Sequence, residues 1–303
     1  MRDMREPDAA DVLRMAWGID ARLGSPHHGL SRVTWRVGAV GWLARESAQR
    51  LAETRSEMAL LALLSTTVAF AVPTPIRTLQ GQQLAHVGDF AWTLCHHIAG
   101  ERLGDAPSSY RRLAALLAAV HRSLRALDPR CAVMSASLLG RAREAMQDDA
   151  SVLPPAAHTA AAWLRGRIAA LDALPPQVIH GDFCIPNVLV DAGDPARFGI
   201  LDWERSSFDS PIFDLAQLAF GMVAFTRPPP HRSQLGRLTR WYAEGGGQDF
   251  SEGQLAAALV AGQLAHIAWL QGRVARGEAT LAESVRFLDE RLALTLRWLG
   301  HPR

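Results

Sequence analysis

The pattern of hydrophobic and polar positions changes along the chain. Within the first hundred residues, "SRVTWRV" and "WLARE" alternate apolar and polar side chains on either side of "GAVG", which predicts a β-hairpin. "DFAWTLCHHI" is a further strand candidate. From "SSYRRLAALLAAVHRSLRAL" onward, leucine and alanine recur at helical spacing, so helices should dominate. The pattern therefore predicts an α+β protein with a small sheet-rich lobe followed by a larger helical lobe.

Helix boundaries follow from capping residues and from prolines. "SEMALLALL" predicts a helix after the hairpin, with Ser56 as a possible cap. The long helix predicted over "SSYRRLAALLAAVHRSLRAL" should have Ser108 or Ser109 as its cap. "AAHTAAAWLRGRIAALDAL" is expected to form one helix, which the pair Pro175-Pro176 would end.

A short β-like island interrupts the helical region. "NVLV" predicts a strand, "DAGDPAR" a turn and "FGILDW" a returning strand. If the two strands pair, the hairpin folds Asp202 back beside Asn187. Asp182 would lie on the loop just before the first strand. One loop and one hairpin would then place two carboxylates and an amide around a single point.

That set of groups suits phosphoryl transfer from a nucleotide. Asp182 would accept the proton of the attacking hydroxyl, while Asn187 and Asp202 would hold Mg²⁺ on the triphosphate. The alternative is that these residues only cap turns, which is the usual role of isolated Asp and Asn. For His180 we expect a structural role, hydrogen-bonded within the loop, because the base is already assigned to Asp182.

Three motifs carry a resemblance to a known family. "HGDFCIPN" resembles the H-G-D-x-x-x-x-N signature of the aminoglycoside phosphotransferase and choline kinase family, and "ILDWE" resembles its metal-binding I-D-W-E segment. "SPIFDLAQLA" resembles its D-L-A helix start, with Asp214 at the position of the structural aspartate. The resemblance implies a protein-kinase-like two-lobe fold, with a nucleotide-binding antiparallel-sheet lobe over residues 1–98 and a helical catalytic and substrate lobe over residues 99–303.

The resemblance also implies nucleotide contacts in the first lobe. The chain contains no lysine, so any phosphate-binding cation must be arginine. For that role we predict Arg45, paired with Glu57 or alternatively Glu53, although Arg45 could instead be a solvated residue at a strand end. The remaining expected contacts are Gly29 and Ser31 in the phosphate-covering loop and backbone groups of His96 and Ile98 in the hinge.

Composition limits the partners. The chain has 303 residues and a formal net charge of +2, and its arginines are spread among acidic residues, so we expect no nucleic-acid partner. The three cysteines form no CxxC pair, the N-terminus is charged, and the apolar run "MALLALLSTTVAFAV" is short for a membrane span. We therefore predict a cytoplasmic protein without a membrane partner, either a monomer or a homodimer.

The expected activity is transfer of the γ-phosphate of ATP or GTP, with Mg²⁺, to a hydroxyl of a small molecule. The preferred acceptor is an antibiotic of the aminoglycoside type or a related natural product, for which acidic side chains could bind cationic groups. The candidates for that binding are Glu101, Asp105, Glu204 and Asp209. Metabolite kinases of the choline, homoserine, thiamine or sugar type remain an alternative, as does a catalytically weak nucleotide-binding regulator.

A eukaryotic-type protein kinase is a further alternative, and the sequence argues against it. Such an enzyme needs a long peptide-binding segment after its metal-binding aspartate. Here only a few residues separate Asp202 from "DSPIFDLA".

Overall fold

The structure is a computed structural model that describes residues 8–29, 31–104, 106–133, 136–147, 153–194, 197–225, 233–275, 277–278 and 281–300. The strands are β1 His27–His28, β2 Arg32–Val37, β3 Gly41–Ser47, β4 Ala85–Val87, β5 Phe90–His96, β6 Glu101–Arg102, β7 Gln177–Ile179, β8 Val188–Val190, β9 Phe198–Ile200 and β10 Ser207–Asp209. The helices are α1 Ala9–Trp17, α2 Leu51–Thr67, α3 Pro107–Leu124, α4 Leu138–Gln147, α5 Pro155–Arg165, α6 Ala169–Asp172, α7 Ile212–Phe225, α8 Gln234–Glu244, α9 Glu252–Ala275 and α10 Ala282–Trp298.

The chain divides into two compact units. The first comprises the residues up to Arg102 together with residues 131–133 and 188–204, and the second comprises the rest. The predicted division at residues 98 and 99 lies close to the first change of unit. Residues 188–204, which the sequence assigned to the second lobe, cluster instead with the first unit.

A five-stranded antiparallel sheet forms the centre of the first unit, in the order β1-β2-β3-β5-β4. The predicted hairpin of β2 and β3 is confirmed, with Arg32 opposite Glu46 and Val33 opposite Arg45. Because side chains alternate between the two faces of a strand, this register puts Glu46 and Arg45 on opposite faces of the sheet.

Helix α1 covers one face of this sheet. Val12 and Leu13 of the helix are fully buried in a cluster with Leu43, Trp92 and other apolar side chains of the strands. The helix begins where the Asp8 side chain accepts a hydrogen bond from the Ala10 backbone N–H, and it ends at left-handed Gly18. These caps define a helix whose apolar side packs on the sheet.

Helix α2 belongs to the same unit and contacts β5, where Met58 Sδ lies 3.9 Å from Cys95 Sγ. The helix begins at Leu51, so the prediction that Ser56 caps it is wrong. Ser56 lies inside the helix and donates to the Ala52 carbonyl. The sequence signal failed because serine can bond a preceding helical carbonyl as well as cap a terminus.

A separate three-stranded sheet, in the order β6-β8-β9, completes the first unit. Strands β8 and β9 pair antiparallel with Val188 opposite Ile200, which confirms the second predicted hairpin. Asn187 directly precedes β8, and Asp202 follows β9 by two positions.

The second unit is mainly helical, as predicted. Its central helix, α9, packs against α4, α7 and α10. Among the described residues, α9 is the one helix long and apolar enough to cross a membrane, and 67% of its most apolar stretch is buried inside the fold. An apolar helix buried to that extent is typical of a protein core.

Two helix boundaries in this unit differ from the predictions. Helix α3 begins at Pro107 rather than at a serine cap, because proline is well suited to the first helical position. The segment predicted as one helix is two, α5 and α6, and α5 ends at Arg165 with Gly166 as its C-cap.

Candidate active site

The loop that contains Asp182 is held by the carboxylate of Asp214, in the first turn of α7. Asp214 Oδ2 accepts the backbone N–H of His180 at 2.8 Å, and Oδ1 accepts that of Gly181 at 2.7 Å. Asp214 and His180 are both fully buried. A buried carboxylate requires such donors, so this pair of bonds fixes the start of the loop.

A buried histidine supports Asp214 from the other side. His121 Nε2 lies 3.0 Å from Asp214 Oδ2, and its Nδ1 lies 2.7 Å from the hydroxyl of Tyr242. With the proton on Nε2, His121 donates to the carboxylate and accepts from Tyr242. Burial raises the pKa of Tyr242, and the nearby Asp214 raises it further, so the phenol stays protonated as this donor.

Gly181 is required by its surroundings. Its φ is +82°, and a Cβ at this position would lie 2.0 Å from the carbonyl oxygen of Arg205. No side chain could be accommodated without moving backbone. The close approach holds the loop against the segment that follows β9.

The rest of the loop is fixed by its own polar groups. The Asp182 backbone N–H donates to His180 Nδ1 at 3.1 Å, and the Asn187 side-chain NH₂ donates to the Asp182 carbonyl at 3.0 Å. These contacts make His180 a residue that shapes the loop. They also use the nitrogen of the Asn187 amide and leave its Oδ1 as an oxygen donor for a metal.

Asp202 has an unusual backbone conformation. Its φ is +62°, and among the described residues no other non-glycine residue has a positive φ. The next residue, Trp203, is fully buried and stacks on Phe70 with ring centroids 6.2 Å apart. Positive φ at a non-glycine residue is often found at functional sites, and the buried tryptophan holds the segment in place.

A cluster of charged side chains lies within the first unit. Arg32 Nη2 is 2.8 Å from Glu57 Oε2 and 2.7 Å from Glu204 Oε2. Glu204 also accepts from the hydroxyl of Ser31 at 2.7 Å and from Arg50 Nη1 at 3.3 Å. Arg32 therefore bridges the helix α2 and the segment after β9.

Glu46 extends this cluster along β3. Its carboxylate accepts hydrogen bonds from Arg50 and from the hydroxyl of Thr54, the latter at 2.7 Å. Glu46 lies directly opposite Arg32 in the sheet. We call the set formed by Ser31, Arg32, Glu46, Arg50, Thr54, Glu57 and Glu204 the Arg32 cluster.

The arginine that pairs with Glu57 is Arg32 rather than the predicted Arg45. Arg45 points to the other face of the sheet, where its guanidinium carbon lies 4.6 Å from the centre of the Phe90 ring and 5.8 Å from that of Trp92. The pairing arginine lies on β2 rather than on β3, and the register of β3 places Glu46 instead of Arg45 on the face toward α2. Arg32, Glu46 and Arg50 were missed. The alternation of β2 and β3 could have suggested the first two.

The two glutamates that share Arg32 have pKa values shifted in opposite directions. Burial raises the pKa of Glu57 to about 7, despite the opposing charge of Arg32. Burial would also raise the pKa of Glu204, but Arg32 and Arg50 outweigh it and lower that pKa to about 2. Glu204 has two arginines and Glu57 has one, which explains the difference.

Arg32 itself is strongly held in its charged form. Burial alone would lower the pKa of its guanidinium, but the surrounding carboxylates outweigh burial and raise it. These carboxylates belong to Glu57, Glu204, Glu46 and Asp202. Arg32 Nε is buried and has no hydrogen-bond partner among the described residues.

Two of the four acidic residues predicted to bind a cationic acceptor are engaged by internal partners. Glu204 belongs to the Arg32 cluster. Asp209 is buried in β10, accepts hydrogen bonds from the Leu138 backbone and from Ser207, and has a pKa that burial raises to about 6. Glu101 is exposed on β6. Asp105 lies outside the described residues.

The residues predicted to contact the nucleotide through loop and hinge have defined backbone contacts. Gly29 N–H donates to the Arg32 carbonyl at 2.9 Å. His96 N–H donates to the Thr74 carbonyl at 2.9 Å, so only its carbonyl oxygen is a candidate for the base. Ile98 is buried and follows β5 in the predicted hinge.

The sequence model of the phosphotransferase enzyme family (APH) matches residues 25–256. The chain belongs to this family. It is accordingly a phosphotransferase of the small-molecule kinase type. A comparison with curated protein sequences found no match.

Solved structures of small-molecule kinases share the fold of this phosphotransferase. A microcompartment-associated aminopropanol kinase has a TM-score of 0.69 at 17% identity, covering 96% of this chain and 97% of its own. Amicoumacin kinase, in complex with AMP-PNP, Ca²⁺ and Ami, has a TM-score of 0.68 at 14% identity, covering 94% of both chains. An aminoglycoside 2'-phosphotransferase in complex with GDP has a TM-score of 0.63 at 18% identity, covering 90% and 94%. At these identities the likeness concerns the protein-kinase-like fold.

Proposed function

We propose that this phosphotransferase transfers the γ-phosphate of ATP, or of GTP, to a hydroxyl group of a small molecule, with Mg²⁺ as the metal. The observation that carries the proposal is the geometry of the loop over residues 180–187. Buried Asp214 collects two backbone N–H groups at its start, and Asn187 closes it through the Asp182 carbonyl. Such a loop can present a carboxylate and an amide oxygen in fixed positions.

In this proposal Asp182 accepts the proton of the attacking hydroxyl. Asp182 is half-buried, and no other side chain of this loop is a carboxylate. Orienting the hydroxyl for in-line attack is the main task of such a base, because phosphoryl transfer depends on positioning and charge stabilisation. His180 then acts as a positioning residue, through its bond to the Asp182 backbone.

The donors available for a metal fit Mg²⁺. Asn187 Oδ1 and the Asp202 carboxylate are hard oxygen donors, and Mg²⁺ needs only one or two side chains when phosphates and waters complete its shell. Within the described chain, no group of three or more His, Cys, Asp or Glu side chains could hold a metal by itself. Bound Mg²⁺ would neutralise charge on the phosphates during transfer.

For the nucleotide phosphates we propose Arg32 as the principal cation, in place of Arg45. It lies in the strand after the loop that contains Gly29 and Ser31, and its buried Nε is an unused donor among the described residues. An arginine fork suits phosphate oxygens. Glu57 and Glu204 orient it as positioning residues. The carbonyl of His96 and the backbone of Ile98 are the proposed contacts to the base.

For the acceptor, Glu204 and Asp209 give little support to a polycationic antibiotic, because both are held by internal partners. A natural product or metabolite with a free hydroxyl therefore stands as the acceptor class, and the protein is proposed to act on it in the cytoplasm.

The test of this proposal separates binding from turnover. Thermal-shift measurements with ATP, with and without Mg²⁺, should show a larger rise in Tm with the metal present. Asp202→Asn should remove that difference and keep the fold, because asparagine tolerates positive φ as aspartate does. A coupled ADP-release assay over candidate alcohols then measures transfer. Equal shifts with and without Mg²⁺, together with no ADP release, would contradict the proposal.

A further inference from the structure

A cavity of about 240 Å³ lies within the second unit, against the loop that contains Asp182. Loop residues 184–186 form one side of it. Tyr110 of α3 and Gln217, Leu218 and Gly221 of α7 form the rest. The cavity therefore starts two residues after Asp182 in the same rigid loop.

The lining of this cavity is almost entirely apolar. None of its described lining residues carries a charge, and its polar groups are those of Tyr110, Gln217 and the Cys184 thiol. A cationic group placed here would lose water without gaining a counter-charge, which is unfavourable. An apolar group gains free energy by leaving water, so the lining selects for carbon-rich ligands.

The size of the cavity limits what it can hold. Drug-sized ligands occupy pockets of about 300–1,000 Å³, and this cavity is smaller. A dry cavity of about 150 Å³ accommodates benzene. An aromatic ring or a short branched chain fits, with the remainder of the ligand outside.

Gly221 keeps the cavity open. It lies in helix α7, and a Cβ built there would be 3.7 Å from the hydroxyl oxygen of Tyr110, the nearest described atom outside the backbone of the helix. A side chain at this position would therefore project toward Tyr110 at ordinary contact distance. The helix could accept a larger residue, because glycine is a poor helix former, but the cavity would then be filled.

We propose that this cavity binds the apolar part of the phosphate acceptor, and that the acceptor is an uncharged alcohol bearing an aromatic ring or a branched alkyl group. The inference rests on the proposed function, in which Asp182 takes the proton of the acceptor hydroxyl. The apolar group enters beside residues 184–186, and the hydroxyl is presented to Asp182. Gly221 is a specificity-determining residue in this arrangement.

The test measures binding separately from turnover. The probes are 2-phenylethanol, an uncharged aromatic alcohol, and choline, a cationic alcohol, with binding followed by saturation-transfer NMR on the full chain. Wild type should bind 2-phenylethanol and bind choline more weakly. Gly221→Leu should weaken binding of 2-phenylethanol by about tenfold or more, since filling an apolar pocket excludes its ligand. The matched control is Gly253→Leu, at an exposed helical glycine of α9, which should bind as wild type does.

The two proposals fail in different ways. Binding of 2-phenylethanol that is absent, no stronger than that of choline, or unchanged in Gly221→Leu overturns the cavity proposal, whatever the enzyme phosphorylates. Binding that behaves as expected, together with equal thermal shifts with and without Mg²⁺ and no ADP release from any alcohol, keeps the cavity as a binding site for apolar groups and contradicts the proposed function. Gly221→Ala, a smaller change, gives a second variant that should lie between wild type and Gly221→Leu.

Discussion

The Nη2 atom of Arg32 lies 2.8 Å from Oε2 of Glu57, although the two residues are 25 positions apart in the chain. One belongs to strand β2 and the other to helix α2. Both are buried or nearly so, and Glu204 shares the same guanidinium. This pair, rather than one formed by Arg45, supplies the charged contact between the sheet and α2.

Replacing Arg32 should therefore affect nucleotide binding far more than replacing Arg45. Lysine keeps the positive charge, so Glu57 still has a counter-charge. Lysine lacks the planar guanidinium fork that contacts two carboxylates at once. We expect Arg32→Lys to raise KM for ATP by about tenfold or more, because a charge-assisted hydrogen bond to the phosphates is lost. Steady-state kinetics with ATP as the varied substrate measures this.

Arg45→Lys is the matched control. Lysine can keep a cation–π contact with the aromatic rings around Arg45, so KM for ATP should change by about twofold at most. If Arg45→Lys raised KM as much as Arg32→Lys, the assignment of the phosphate-binding cation would be wrong.

Glu57 should make the stability of the fold depend on pH. Its pKa rises from 4.5 to about 7 in the folded chain, through burial that the charge of Arg32 only partly offsets. The folded state then binds the proton more tightly than the unfolded state. Its contribution to stability is complete below about pH 4.5 and is lost as the pH rises through about 7. The pKa of Glu204 is lowered to about 2, so the effect of Glu204 on the stability of the fold falls at lower pH.

Glu57→Gln should remove this dependence, because glutamine fills the same space without titrating. We expect the wild-type free energy of unfolding to fall relative to that of the variant by up to roughly 3 kcal/mol between about pH 5 and pH 8. Urea unfolding at several pH values measures it. Glu53→Gln, in the same helix, is the control and should keep the wild-type slope. A wild-type slope in Glu57→Gln would refute the prediction.

Gly181 should tolerate no side chain. Its φ is +82°, and a Cβ would lie 2.0 Å from the Arg205 carbonyl oxygen. Gly81 has a similar φ of +78°, with nothing within 4 Å of its Cβ position. Gly81→Ala should cost about 1–2 kcal/mol from the left-handed conformation alone. Gly181→Ala should cost clearly more and should lower kcat as the loop shifts.

The measurements are the thermal unfolding and the kcat of both variants. Gly81→Ala isolates the effect of the backbone conformation, so the excess loss in Gly181→Ala reports the clash with Arg205. Equal losses of stability in the two variants, with kcat unchanged, would mean that the close approach does not shape the loop that contains Asp182.

The sequence predicted the loop over residues 180–187 and both hairpins because each is a local pattern. Turn residues flanked by β-like runs set the pairing of β2 with β3 and of β8 with β9. "HGDFCIPN" contains the loop over residues 180–187, and "FDLA" contains Asp214, which accepts hydrogen bonds from the start of that loop. In these segments the side chains that matter are neighbours in sequence or are joined by one turn.

The Arg32 cluster could not be predicted in the same way. Whether Arg45 or Glu46 faces α2 depends on the strand register, and a shift of one position exchanges the two faces. The sequence likewise predicted that Asp209 binds a cationic substrate, but Asp209 is buried and accepts a hydrogen bond from the Leu138 backbone N–H. Tertiary packing decides both cases, and a short pattern does not record it.

The proposed function depends above all on Asp182 as the base that takes the proton of the attacking hydroxyl, and Asp182→Asn tests this role most directly. Asparagine keeps the size of the side chain and the backbone contacts of the loop while removing its basicity. We predict that nucleotide binding stays within about twofold of wild type and that ADP release in the presence of an acceptor falls by about a hundredfold to ten-thousandfold. A variant that binds nucleotide and turns over near the wild-type rate would contradict the account.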